Sequence, residues 1–207
     1  MKTLLQLNSS IYSKNGQSSL LAEKLVEGWR AANPGARVIR RDLATDPVPH
    51  LTDERFAAFL AKADQRTRGQ RAVVDYSDRL IAELQAADVV VIGLPLYNFG
   101  VPSTLKAYFD HIARSGVTFG YTEKGPVGLL TGKKVYVTAA RGGLYAGTPA
   151  DTQTAYIRTF LGLLGMTDVE FVYAEGLAIS VAAKESALAQ ARTTIENLTH
   201  RDLAIAA

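Results

Sequence analysis

At 207 residues the chain is long enough for one α/β domain with a sizeable core, and 47% of it is apolar. Its 23 Lys and Arg against 20 Asp and Glu give a net charge of +3, too small for a nucleic-acid signature, so the clusters Arg37, Arg40, Arg41 and Arg66, Arg68, Arg71 read as solvated surface. The absence of cysteine excludes disulfides, thiolate nucleophiles and Cys-based metal sites and permits a reducing compartment, and His50, His111 and His200 stand too far apart for a zinc site, so no metal is expected.

Thr3 to Leu7 is a short apolar run ending in Asn-Ser-Ser, a buried strand followed by a polar loop. The start, MKTLLQLNSS, lacks the longer apolar core of a signal peptide, and a cytoplasmic protein is expected. From Ser18 the period changes: Leu21, Leu25 and Trp29, flanked by Ala22 and Val26, give one apolar helix face, which Asn33-Pro34-Gly35 ends. Val38-Ile39 makes a weak second strand. Ala44 to Thr52 is a loop with Pro47 and Pro49. Phe56, Phe59 and Leu60 suit a short helix, and Val73, Ser77, Leu80, Ile81 and Leu84 the buried face of a longer one ending near Ala87.

Asp88 to Gly93 is the strongest strand, and its unbroken β-branched run implies burial on both faces, as in a parallel sheet. The longest apolar run, Val89 to Leu96, is too short to span a bilayer. After the loop Leu94 to Gly100, Pro102 opens a helix that buries Leu105, Tyr108, Phe109, Ile112 and Ala113. Val135 to Ala139 is a strand, Thr154 to Leu164 a helix capped by Gly165, Val169 to Tyr173 the last strand and Ala182 to Leu198 the last helix. This alternation is a doubly wound α/β pattern in a single domain over residues 1–207.

Ligands of such sheets bind beyond the carboxyl ends of the strands, where three loops fall. Asn8 to Ser18 is rich in small hydroxyls and precedes a helix N-terminus, an anion site without a committed cation. It lacks the dinucleotide G-x-G-x-x-G pattern, and the P-loop near-miss Gly128 to Lys134 has the wrong glycine spacing and precedes a strand. Leu94 to Gly100 offers Tyr97, Asn98 and Phe99, suited to a flat heteroaromatic ligand. Ala140-Arg141-Gly142-Gly143, in the loop that runs to Gly147, permits close backbone approach to a ligand, and Arg141 could add a positive field there.

At these loops the chain resembles the FMN-dependent NADH-azoreductases, within the flavodoxin-like quinone reductases. The resemblance rests on Ser9-Ser10, Gln17-Ser18, Pro95-Leu96-Tyr97-Asn98-Phe99, Gly116-Val117-Thr118-Phe119 with Tyr121-Thr122-Glu123, Gly132-Lys133-Lys134, Arg141-Gly142-Gly143 and Thr159-Phe160-Leu161-Gly162, and it runs from Lys2 to about Leu198. It implies a flavodoxin-like three-layer fold, with a five-stranded parallel sheet in the order 2-1-3-4-5 and helices on both faces. It implies FMN phosphate at Ser10, Gly16, Gln17 and Ser18. It places the ring and ribityl chain on Leu96, Tyr97, Asn98 and Phe99 with Ala140, Arg141, Gly142 and Gly143. Two departures are Gly16, where a hydroxyl residue is usual, and Ala140, in place of a serine.

The activity implied is two-electron ping-pong transfer from NADH, or NADPH in its place, to quinones and aromatic azo compounds. The flavin carries that chemistry, so no catalytic side chain is expected. Phe99, Phe119 and Tyr121 would wall the substrate pocket, and the Gly116–Pro126 segment, with its two aromatics, would close it in a homodimer. Nucleic-acid and membrane partners are not expected. The rival is a flavodoxin-type FMN electron carrier docking a protein; such carriers are strongly acidic as a family, whereas this pI is about 9.1.

Overall fold

The computed structural model describes residues 1–206, and side chains over residues 1–200. In chain order the elements are β1 (Thr3–Asn8), α1 (Gln17–Ala32), β2 (Arg37–Asp42), α2 (Asp53–Leu60), α3 (Arg68–Ala86), β3 (Val89–Pro95) and α4 (Ser103–Ile112), then β4 (Phe119–Thr122), β5 (Gly125–Gly128), β6 (Lys134–Ala140), α5 (Thr152–Leu164), β7 (Asp168–Ala174) and α6 (Val181–Ala206). The five long strands pair in parallel in the order β2-β1-β3-β6-β7. Without the separate β4–β5 hairpin this is the expected 2-1-3-4-5 order of a flavodoxin-like sheet.

Strand alternation divides the core in two. Leu5, Leu7, Val90, Ile92, Leu94, Val135 and Val137 pack with α3, α4 and α5. Leu4, Val91 and Tyr136 face the other way, against Leu21, Leu25 and Trp29 of α1 and Leu188 and Ile195 of α6. All seven residues of β3 are buried, as its unbroken apolar run requires of a central parallel strand. Each such aliphatic side chain contributes roughly 1.5–3 kcal/mol when fully buried. No described helix is long and apolar enough to cross a membrane.

The differences from the sequence reading are local. The buried face of α3 begins at Val74; Val73 is only half-buried, a shift of one residue in the helical register. Ala113 is half-buried at the C-cap of α4. The capping side chain of Asp151, which accepts the Thr154 amide, starts α5 two residues before the expected Thr154. The Gly116–Pro126 segment, to which no element was assigned from the sequence, forms most of a small antiparallel hairpin, Phe119 opposite Gly128 and Thr122 opposite Gly125.

Candidate functional site

The site is built where β1, β3 and β6 end. The first turn of α1 is brought over the sheet by two small side chains. The Thr138 hydroxyl donates to the Ser18 carbonyl at 2.9 Å. Gly93 lets that carbonyl lie close: a Cβ there would sit 3.3 Å from it and 3.1 Å from Asn8 Oδ1. The N-cap of α1 is Gly16, which offers no side-chain acceptor, so the Gln17, Ser18 and Ser19 amides donate to nothing among the described residues. The Ser18 and Ser19 hydroxyls are buried there, also without a partner. Buried polar groups are ordinarily satisfied, so this cluster is a ready cradle for an oxyanion at the positive end of a helix dipole.

Ser9 belongs to the scaffold instead, since its amide and hydroxyl both donate to the Gly93 carbonyl, at 3.2 and 2.7 Å. Ser10 is the junction with the second loop. Its Oγ lies 3.3 Å from the Tyr97 hydroxyl, which also accepts the Ile11 amide at 3.3 Å. Beyond Tyr97 the chain makes a two-residue turn in which Asn98 and Phe99 both take positive φ, 49° and 59°. Asn tolerates the left-handed region; for Phe it costs on the order of 1–2 kcal/mol. That turn is sealed by reciprocal backbone bonds between Tyr97 and Gly100 and leaves Phe99 54% exposed.

The third loop joins the second through the Leu96 amide, which donates to the Ala140 carbonyl at 3.1 Å. The Gly142 and Gly143 carbonyls accept from Ala178 and Gly176, while their amides donate to nothing among the described residues. A Cβ on Gly143 would lie 2.6 Å from the Tyr145 hydroxyl, so this glycine makes room for a ring that meets Phe99 edge-on at 5.4 Å.

The Arg141 guanidinium is taken up by side chains of its own chain. It is buried, pairs with Asp151 at 2.9 Å and Glu175 at 3.1 Å, and lies 5.0 Å over the Tyr173 ring. Glu175 in turn accepts the Tyr145 and Ala146 amides, both at 2.9 Å. Burial pushes the Asp151 carboxyl up, but hydrogen bonds from Arg141 and Thr154 outweigh it and hold the group below its usual range. The positive field expected of Arg141 is thus spent on a clamp that holds the third loop down.

Phe119 and Tyr121 are not brought together with Phe99 inside one chain. Their hairpin is rooted where the Leu129 amide bonds to the Thr118 carbonyl and the Leu130 amide to the Leu164 carbonyl, at the C-terminal end of α5. The second and third loops adjoin the opposite end of that helix. Phe119 is half-buried against the core, Tyr121 is 74% exposed, and the two rings meet edge-on at 5.7 Å. Lys133, beside the rejected P-loop match, caps α3 by donating to the Gln85 and Ala87 carbonyls.

The Flavodoxin_2 family, described as having a flavodoxin-like fold, matches residues 1–198. The chain belongs to this family. Within the flavodoxin-like family it is 57% identical to an FMN-dependent NADH:quinone oxidoreductase of Cellvibrio japonicus over 95% of this chain and 98% of the relative. It is 58% identical to FMN-dependent NADH:quinone oxidoreductase 6 of Burkholderia lata, over 94% and 98%. Among solved structures it resembles an FMN-dependent NADH-azoreductase from Bacillus anthracis str. Ames Ancestor in complex with FMN, with TM-score 0.88 and 26% identity over 97% of this chain and 99% of that one. An azoreductase from Bacillus anthracis str. Sterne gives TM-score 0.89, also at 26%, over 97% and 100%.

The departure at Gly16 has a local counterpart in this flavodoxin-like chain. A Cβ there would lie 2.1 Å from Ser10 Oγ, so the Ser10 hydroxyl occupies the space a side chain at 16 would take. Tyr145, Thr152, Gln153 and Glu175 all bear on these loops and were not singled out in the sequence. Only Tyr145 carried a signal, as an aromatic within a loop already read as ligand-facing.

Proposed function

We propose that the chain is an FMN-dependent NADH:quinone oxidoreductase that also reduces aromatic azo compounds, acting as one FMN-binding domain over residues 1–207. The observation that carries this reading is the concentration of unspent donors in the loops. Amides and hydroxyls at the start of α1 fit a phosphate, and the Gly142 and Gly143 amides, without an acceptor among the described residues, stand in the loop that the Leu96 amide joins to the second. Ser10, Gly16, Gln17 and Ser18 would hold the FMN phosphate. Leu96, Tyr97, Asn98 and Phe99 with Ala140, Arg141, Gly142 and Gly143 would hold the ring and ribityl chain, Arg141 through its backbone and its hold on the loop. When bound, FMN supplies the two-electron chemistry between NADH and the acceptor. The chain's own work is to orient the ring, exclude water, and aim the Gly142 and Gly143 amides at negative charge developing on its polar edge.

Purified protein incubated with FMN is expected to hold it and to oxidise NADH rapidly when a quinone is added. Donor and acceptor would share one face of the ring, so double-reciprocal plots should be parallel. A protein that stays colourless after incubation with FMN would sink the proposal; intersecting lines would sink the shared pocket.

The working unit on this reading is a cytoplasmic homodimer. Tyr121 and Phe99 are exposed and lie toward opposite ends of the α4–α5 layer, so a pocket walled by both takes its second aromatic from another copy. A two-fold axis would make two equivalent pockets. Light scattering at micromolar concentration should give twice the 22.3 kDa chain mass. A fully active species at the single-chain mass would rule the dimer out.

A further inference from the structure

The sequence of the turn that presents Asn98 and Phe99 does not favour the conformation it adopts. Two consecutive left-handed residues suit Asn-Gly; here the second is Phe99. Its support comes from Gln153, more than 50 residues away in sequence. The Gln153 side chain is 1% exposed, and its Nε2 donates to the Pro95 carbonyl at 2.8 Å and the Gly100 carbonyl at 2.9 Å. These carbonyls flank the turn on either side. A primary carboxamide supplies two hydrogens from one nitrogen, so a single side chain serves both. The neighbouring Thr152 hydroxyl donates to the Phe99 carbonyl between them. Asp151, one residue earlier, holds Arg141 and through it the third loop. The first turn of α5 therefore grips both ring-holding loops.

We propose that Gln153 is a positioning residue: its carboxamide fixes the Tyr97–Gly100 turn at the height and in the strained conformation against which the flavin ring packs. The part concerning the flavin rests on the function proposed above; the hold on the turn does not. The Gln153 amide group bonds to the backbone carbonyls on either side of the turn, so its effect on a ligand passes through the turn. A glutamine needed only to fill space could be exchanged for methionine, which has nearly the same length and volume and no donors.

Gln153→Met is the test, read two ways. In protein without FMN, the Gly100 amide, whose bond to the Tyr97 carbonyl seals the turn, should exchange its hydrogen about tenfold faster, while the Val91 amide in β3 keeps its parental rate. In the FMN-loaded protein, the dissociation constant for FMN should rise about tenfold. Unchanged Gly100 exchange overturns the proposal, and so does fast Gly100 exchange with unchanged FMN affinity. Equal acceleration at Val91 would show a general loss of stability and overturn it as well. If the parent does not bind FMN, the functional reading fails and Gly100 exchange alone decides the hold on the turn. Should Gln153→Met not fold, the exposed Thr152→Val removes the third bond to the same turn. It should speed Gly100 exchange about threefold, and no change there would overturn the bracing role of this helix end.

Discussion

Replacing Arg141 with methionine is expected to destabilise the protein by about 3–5 kcal/mol, the usual cost of removing one partner from a buried ion pair. For a chain of this size that lowers the melting temperature by roughly 10 °C. The guanidinium is the shared counter-charge of Asp151 and Glu175, whose side chains are only 7% and 14% exposed. Without it, two carboxylates are left close together and poorly solvated, with the Thr154 and Tyr145–Ala146 bonds as their remaining support. The sign of the pH dependence follows from Asp151. In the parent its folded pKa is depressed, so its contribution is present above the unfolded value of about 3.9 and is lost as the pH falls through the lower folded value. In Arg141→Met the burial remains and the cation is gone, which raises the Asp151 carboxyl. Acidification then relieves the variant while the parent is still unaffected. The gap between parent and variant should be widest near neutrality and narrow as the pH falls toward about 4. Thermal melts at several pH values check both points. A variant melting within about 2 °C of the parent at neutral pH would show that the triad adds nothing net.

What the sequence could show of this molecule, and what it could not, divides by range along the chain. The sheet was legible because β3 is apolar throughout and the helices carry local signals: Trp29 and Leu25 on a face of α1, Gly165 at the end of α5. The three loops were legible because their composition breaks with the core around them. The direction of Arg141 was not, since its partners stand 10 and 34 residues away and only the folded chain brings them together. Gln153 was hidden in the same way, its acceptors lying 58 and 53 residues back. The β4–β5 hairpin escaped for a different reason: its strands are four residues each, and the second contains glycine at both ends and a proline, which weigh against strand. Local pattern thus pointed to the three loops, while the side chains that brace the second and third of them come from residues well separated in sequence.

Ser18→Ala should act in opposite directions on the empty and the FMN-bound protein, and that reversal separates a binding group from a structural one. The Ser18 hydroxyl is buried in the first turn of α1 and has no hydrogen-bond partner among the described residues, whereas its carbonyl is already anchored by Thr138. A buried hydroxyl left unsatisfied costs about 1–3 kcal/mol, so its removal should leave protein without FMN as stable as the parent or more so. With FMN present the same hydroxyl would donate to a doubly charged phosphate, a bond worth about 1.5–3 kcal/mol. Its loss should therefore raise the FMN dissociation constant by roughly ten- to a hundredfold. The Gln17, Ser18 and Ser19 amides survive the substitution, so the cradle is weakened, not abolished. Riboflavin supplies the internal control, because it has the same ring and ribityl chain without the phosphate. It should bind parent and variant with equal, weaker affinity. Fluorescence titration of both ligands against both proteins, with thermal melts of the ligand-free forms, makes the comparison. If riboflavin loses as much affinity as FMN, the substitution has disturbed the ring site and Ser18 is not a phosphate ligand. If FMN affinity is unchanged while the ligand-free variant gains stability, the hydroxyl is an unpaired group with no part in binding, and the phosphate is held without it.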